Sequence, residues 1–387
     1  MKKFLFFSAL FLPNLGGVER YTFSLAKQLI KNQFDVTVVT SNTFSLPSQN
    51  TIDGIRVIRV PCINLLNGRY PFPKFNQEYR AIYRSLFQED FDFVIVQTRF
   101  YVHSIIGARF AKKKHIPCIV IEHGTGHMTI SNRFVDQIGA VYEHIETGIL
   151  KRYCKIFYGV SQSCCEWLEH FHIQPKGILY NAVDIDDINL KYDHSVIDYK
   201  KMYAYDGYKI VSFAGRFVSE KGILELKNAI EQLNQDGQRV RLLLAGNGDL
   251  YSQLEREKNM NMVLLGKLDF DHMIALYKSS DIFCLPTKYP EGFPTTVLEA
   301  AACKCFVITT EKGGSKEFII NDEYGLIITD NSVEKIKASI VKAMDNAYRK
   351  KATEKAYSML CEKFTWEKTC QHVISIEEKM KSHNSMN

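Results

Sequence analysis

The sequence predicts a parallel α/β protein of two domains. Three observations predict it. A strand, a glycine loop, a helix and a second strand open the chain, the βαβ order that forces parallel pairing. The same order restarts at residue 209, with a strand to 214, a glycine-containing loop and a helix to about residue 233. And 387 residues exceed what one ordinary hydrophobic core holds.

Composition narrows the class further. Hydrophobic residues at 46% and charged residues at 24% suit a globular protein and exclude a disordered or fibrous one. Ten cysteines are scattered, and the close pairs Cys164-Cys165 and Cys303-x-Cys305 lack the spacing of a zinc ribbon or a thioredoxin motif. Cysteines inside apolar runs, such as Cys118 and Cys284, read as small core residues of a reducing compartment. Met1-Lys2-Lys3 followed by an apolar run to Leu12 imitates a secretory leader. It lacks a small-x-small cleavage site and is too short to span a bilayer, so it is expected to be the first buried strand.

The net charge of +6 is uneven. Residues 1–180 carry 21 Lys and Arg against 13 Asp and Glu, whereas the rest carries 28 against 30. A basic first half favours an anionic surface such as a membrane or a lipid-linked phosphate. No nucleic-acid-binding motif accompanies it, so nucleic acid is not expected as a partner.

In chain order, Gly16-Gly17 precede a helix whose Phe23, Ala26, Leu29 and Ile30 share one face, and a strand follows at 35–40. The glycines let backbone approach a ligand at the helix start, or simply form a tight turn. Strands are expected within 52–60 and at 93–96, 116–121 and 157–161. Arg69-Tyr70-Pro71-Phe72-Pro73-Lys74-Phe75 interleaves basic and aromatic residues, as either a lipid-facing loop or a loop with its rings in the core. His123 follows a central strand, where a neutral imidazole can bond a substrate hydroxyl; His127 is a weaker candidate. Residues 185–206 read as a polar link. In the second half, Arg216 and Lys221 flank a strand-to-helix loop. They are either a phosphate clamp or surface charges paired with Glu220. Gly246 ends the strand at 241–245. Helices are expected at 332–346 and from Phe364-Thr365-Trp366 to about 381.

The most informative stretch is Tyr289-Pro290-Glu291-Gly292-Phe293-Pro294-Thr295-Thr296-Val297-Leu298-Glu299-Ala300. A buried strand precedes it and a helix follows. Glu291 therefore falls in a strand-to-helix loop, and Glu299 one to two turns into the helix. Such loops open where α/β sheets bind ligands, and a helix start suits phosphate. Thr296-x-x-Glu299 also reads as a plain capping box.

This stretch, followed by Gly313-Gly314-Ser315-x-Glu317, resembles the donor-site signature of family 4 glycosyltransferases. Gly16-Gly17-x-Glu19-Arg20, the His123-Gly124 pair, Asn181-Ala182-Val183-Asp184 and Gly215-Arg216-x4-Lys221-Gly222 match further motifs of that family. The resemblance implies the α/β GT-B fold, two facing Rossmann-like doubly wound domains with a central cleft. It divides the chain into an acceptor-side domain 1–183, a donor-binding domain 184–365 and a helix 366–387 crossing back. It implies transfer of a sugar from a UDP- or GDP-sugar to an acceptor hydroxyl with retention, with no cofactor and no metal. Three D-x-D triplets, beginning at Asp90, Asp184 and Asp269, lack the loop context of a metal site. Glu291 and His123 are the expected catalytic residues. Gly16, Gly17, Arg216, Lys221, Gly246, Phe293, Pro294, Thr295, Thr296 and Glu299 are the expected donor contacts. A lipid-linked or glycan acceptor, surface-polysaccharide or glycolipid assembly, and a cytoplasmic, peripheral location at the inner membrane face complete the expectation. Rival readings are a nucleotide-sugar epimerase or phosphorylase on the same fold, or a non-catalytic binding protein. One departure stands out: Lys304 replaces a usual turn glycine, which predicts a differently shaped helix end.

Overall fold

The computed structural model describes residues 1–129 and 133–384. The last three residues of the expected 366–387 segment lie outside the described residues. The chain divides into two compact units, Met1–Asn181 joined by the chain from Trp366 onward, and Ala182–Thr365.

Unit 1 begins with β1 (Lys3–Phe7), α1 (Gly17–Lys31), β2 (Asp35–Ser41), β3 (Gln49–Ile52), β4 (Ile55–Val60), β5 (Cys62–Leu65) and β6 (Tyr70–Pro73). It continues through α2 (Gln77–Gln88), β7 (Phe93–Gln97), α3 (Val102–Lys114), β8 (Cys118–Glu122), α4 (Arg133–Leu150), β9 (Phe157–Gly159) and α5 (Gln162–Glu169). Seven strands form one sheet in the order β3-β4-β2-β1-β7-β8-β9, parallel except for β3. Its central strands are buried and apolar except at their ends, as expected of a parallel sheet. The strand order reverses between β1 and β7, which places a ligand-binding switch point there.

Unit 2 contains α6 (Ile185–His194), α7 (Tyr199–Met202), β10 (Lys209–Ala214), α8 (Ile223–Gln235), β11 (Val240–Ala245), α9 (Tyr251–Arg256), β12 (Met262–Gly266) and α10 (Phe270–Lys278). Then come β13 (Ile282–Leu285), α11 (Thr295–Ala302), β14 (Phe306–Thr310), α12 (Ser315–Phe318), β15 (Leu326–Ile328), α13 (Val333–Ala343) and α14 (Asn346–Lys363). The six strands lie parallel in the order β12-β11-β10-β13-β14-β15, with the switch point between β10 and β13. The final helix, α15 (Trp366–Asn384), belongs to unit 1. There Trp366 meets the Tyr21 ring edge-on at 5.0 Å, and Lys2 and Lys381 pair with Glu377 and Asp92, each at 2.6 Å.

Several expectations change. The apolar run at the amino terminus is a strand only to Phe7; Ala9 and Phe11 are buried in the loop beyond it. Residues 70–73 are not loop but one strand of a small hairpin with β5. The link 185–206 is largely helical, because Asp184 and Asp198 cap two short helices by accepting from the N–H groups of Asp187 and Lys201. The helix expected at 332–346 is α13, which stops at Ala343; Asp345 then accepts from the N–H groups of Ala347 and Tyr348 and starts a further helix, α14. Among the D-x-D triplets, Asp184 and Asp269 are helix N-caps and Asp92 pairs with Lys381.

Candidate active site

In unit 2, three strand-end loops converge at the switch point. The first, after β10, carries Arg216 and Lys221. The second, after β13, carries Glu291. Lys221 Nζ forms an ion pair with Glu291 Oε1, both side chains being largely buried. Lys221 thus pairs with Glu291, not Glu220. The Glu220 carbonyl instead accepts the Lys288 N–H at 2.6 Å and the Tyr289 N–H at 3.2 Å, tying the two loops together. Thr287 Oγ1 accepts from the Tyr289 N–H at 3.0 Å. The centre of the Tyr289 ring lies 5.2 Å from the Arg216 guanidinium and 5.5 Å from Lys221 Nζ, so one aromatic ring neighbours both cations.

The third loop, after β14, supports the second. Gly313 has φ +61, and a Cβ there would stand 2.7 Å from the carbonyl oxygens of Glu291 and Gly292. A Cβ on Gly314 would enter the Phe293 ring at 2.0 Å. Only glycine permits this approach. The Phe293 ring is buried between that loop and Phe364, so its side chain is packing rather than a ligand surface. Gly246, with φ +142, is equally constrained: a Cβ would stand 1.8 Å from the Gly215 carbonyl.

Pro294 is the N-cap of α11, and no side chain caps that end. Thr295 and Thr296 are therefore inside the helix, and the capping-box reading of Thr296 and Glu299 fails. Glu299 is buried and its Oε2 accepts from the Tyr277 hydroxyl at 3.3 Å. Burial, then the Glu299 charge, pushes the Tyr277 hydroxyl pKa up. The expected change at the helix end is also absent. Lys304 itself adopts φ +58, so the turn keeps the shape glycine would give it, at a strain glycine avoids.

In unit 1, His123 follows β8. Its Nε2–H donates to Gln97 Oε1 at 2.6 Å, and the Tyr21 ring packs edge-on at 4.7 Å. Burial pushes its pKa down to about 3. The imidazole is thus neutral, and Nδ1 is an acceptor. The residues that hold it in place were not anticipated. Glu122 Oε1 accepts the N–H groups of His123 and Gly124 at 3.1 and 2.9 Å. Its other oxygen lies 3.2 Å from Arg99 Nε, and Arg99 also donates to Glu143 at 3.0 Å. Arg99 is fully buried, its guanidinium 3.6 Å from the centre of the Phe171 ring. Burial raises the Glu122 pKa, and Arg99 opposes that rise.

Gly16 caps α1 in an extended conformation (φ −138, ψ −177), and neither Gly16 nor Gly17 has positive φ, so the tight-turn reading fails. The absence of a side chain at Gly16 matters because the buried Glu19 carboxylate occupies the space a Cβ would take, 2.3 Å away. Gly17 has nothing within 4 Å of that position.

A second unanticipated feature is α4. Phe134, Ile138, Val141 and Ile145 recur at helical spacing and are all more than half exposed. Their period was visible in the sequence. What the sequence did not disclose is that this stripe faces water. Among the described residues, no helix is long and apolar enough to cross a membrane.

Two family descriptions match the chain and together span most of it. "Glycosyltransferase Family 4" matches residues 15–187, and "Glycosyl transferases group 1" matches residues 198–359. An uncharacterised glycosyltransferase of Methanocaldococcus jannaschii is 25% identical over 98% of both chains. The lipopolysaccharide 1,2-N-acetylglucosaminetransferase of Salmonella typhimurium is 28% identical over 45% of this chain and 48% of its own. Among solved structures, HepE of Anabaena in complex with UDP-glucose superposes with a TM-score of 0.73 at 16% identity. That match covers 98% of this chain and all of the other, a likeness of fold alone.

Proposed function

This chain belongs to glycosyltransferase family 4 and has the GT-B fold, and from that premise we propose that it moves a sugar from a UDP- or GDP-sugar to an acceptor hydroxyl, with retention of configuration. The observation that carries the reading is the Lys221–Glu291 pair at the β10/β13 switch point, with Arg216 beside the same Tyr289 ring as Lys221. As the glycosidic bond breaks, the departing diphosphate gains negative charge. Arg216, Lys221 and the start of α11 stabilise that charge where it develops. Gly16 and Gly17, at the start of α1, offer backbone to a donor phosphate. Glu299 accepts from ribose hydroxyls, and Gly246 lets the nucleotide lie against backbone. Glu291 holds the transferred sugar, and neutral His123, in unit 1, accepts from a substrate hydroxyl. No metal takes part in the step, so omitting Mg²⁺ and Mn²⁺ should leave the rate unchanged.

The acceptor is a lipid-linked or glycan hydroxyl in surface-polysaccharide or glycolipid assembly, the class to which the Salmonella relative's name belongs. The enzyme works from the cytoplasm at the inner membrane face. The basic excess of residues 1–180 draws it to anionic lipid, and the exposed stripe of α4 enters the headgroup layer. Replacing Phe134, Ile138 and Val141 by serine should weaken partition onto anionic vesicles about tenfold or more without unfolding the chain. Unchanged partition would remove α4 from the membrane contact.

The decisive assay incubates UDP- and GDP-sugars with and without glycan or lipid-linked acceptors and follows free nucleotide, with the product anomer read by NMR. Nucleotide released only with acceptor, and an anomer matching the donor, is the expected result. Conversion of the donor alone would mean an epimerase, and turnover that needs only added phosphate a phosphorylase.

A further inference from the structure

Three histidines come together in unit 1 away from His123. His127 lies in the segment after β8, His144 on α4, and His170 at the end of α5. One ring nitrogen from each lies within 4.8 Å of the other two. Nε2 of His144 and Nε2 of His170 are 3.2 Å apart. Two nitrogens bound to one tetrahedral zinc ion, each about 2.0–2.1 Å from it, stand about 3.3 Å apart.

The surroundings favour ligation over simple packing. His127 Nδ1–H donates to Glu143 Oε2 at 3.0 Å, which leaves Nε2 as the basic nitrogen. This is the carboxylate–histidine arrangement that lies behind metal-bound imidazoles and raises their basicity. Glu143 is itself fixed, accepting the Met128 N–H at 2.8 Å and Arg99 at 3.0 Å. The His170 ring is stacked on Trp167, 4.8 Å between centroids and 8° between planes, which sets its orientation. His144 and His170 are exposed and His127 half-buried, so water has access to a fourth position. Without a cation, two of these imidazoles can share one N–H···N bond, and the third has no place in it.

We propose that His127, His144 and His170 bind one divalent transition-metal ion of the zinc class, with water completing a tetrahedral set. The ion would staple the segment following β8 to α4 and α5. It stands apart from sugar transfer. Because His127 is four residues beyond His123, its effect is to stiffen the segment that carries both.

The test uses the full chain stripped of metal by chelation. Zinc is titrated in competition with a colorimetric chelator, for the wild type and for H144A/H170A, with thermal unfolding followed in parallel. One equivalent bound by the wild type, weakened more than about tenfold in the double variant, is expected. Zinc should raise the unfolding temperature of the wild type alone. Cobalt substitution should give the visible bands of a tetrahedral nitrogen and oxygen site without thiolate charge-transfer absorption. Should H144A/H170A fold poorly, H170Q serves in its place, with the same expected loss. Equal binding by wild type and variant, a thiolate band, or no binding at all would overturn the proposal.

Discussion

The carboxyl ends of the two sheets are secured in opposite ways. In unit 2, the loop bearing Glu291 rests on bare backbone: Gly313 and Gly314 lie against it, and Gly246 lies against Gly215. A largely buried ion pair, Lys221–Glu291, sits at the switch point itself. In unit 1, the loop bearing His123 hangs on buried charges. Arg99, Glu122 and Glu143 come from three separate elements, and Glu122 holds the loop through two backbone N–H groups. Backbone-on-backbone packing costs no charge desolvation, so the Glu291 loop is held without a buried charge network of the unit 1 kind. A buried charge network fixes geometry more firmly but fails as a whole when one member is removed.

That difference gives the largest expected effect. Arg99→Ala leaves Glu122 and Glu143 buried without their cation and should destabilise the chain by about 3–5 kcal/mol in urea unfolding. A loss under about 1 kcal/mol would mean that the network is dispensable and that the two sheet ends do not differ.

A smaller effect comes from Glu146, in the same buried region, whose Oε1 accepts from the Tyr70 hydroxyl at 2.6 Å. Burial pushes its pKa up to about 7, with hydrogen bonds from Tyr70 and Tyr142 opposing the rise. The folded state therefore holds a proton that the unfolded state releases near its ordinary value of 4.5. Stability falls as pH rises between those values. Glu146→Gln should remove this fall and stabilise the protein by about 3 kcal/mol at pH 8, with little change at pH 4. An equal shift at both pH values would assign the effect to packing.

How much of this was legible follows from the same contrast. The candidate site of unit 2 could be proposed from sequence because its parts are contiguous: Gly215 to Gly222, Tyr289 to Glu299 and Gly313 to Glu317 each lie within one loop and the start of the next element. What misled there was local. Thr296 and Glu299 have capping-box spacing, yet the helix starts at Thr295 and Glu299 meets Tyr277. Lys304 looked like a changed turn, yet lysine tolerates the left-handed conformation at a cost. In unit 1 only His123 and the Gly16-Gly17 loop could be read. Arg99, Glu122 and Glu143 carry no spacing rule: Arg99 follows β7, Glu122 ends β8 and Glu143 lies on α4, and only the tertiary fold brings them together. The fold class was plain from the βαβ order. The hairpin β5–β6 and the break between α13 and α14 were not, since turn and cap chemistry there depends on single residues such as Asp345.

The most direct test is thermal unfolding with UDP, GDP, ADP, CMP and NAD, for the wild type and for R216A/K221A. A nucleotide at about a hundred times its dissociation constant stabilises by about 2.7 kcal/mol. One nucleoside diphosphate should raise the unfolding temperature of the wild type and leave that of the double variant unmoved, each protein being compared with its own ligand-free value. A shift with NAD only, or the same diphosphate shift in both proteins, would contradict a diphosphate site built on Arg216 and Lys221.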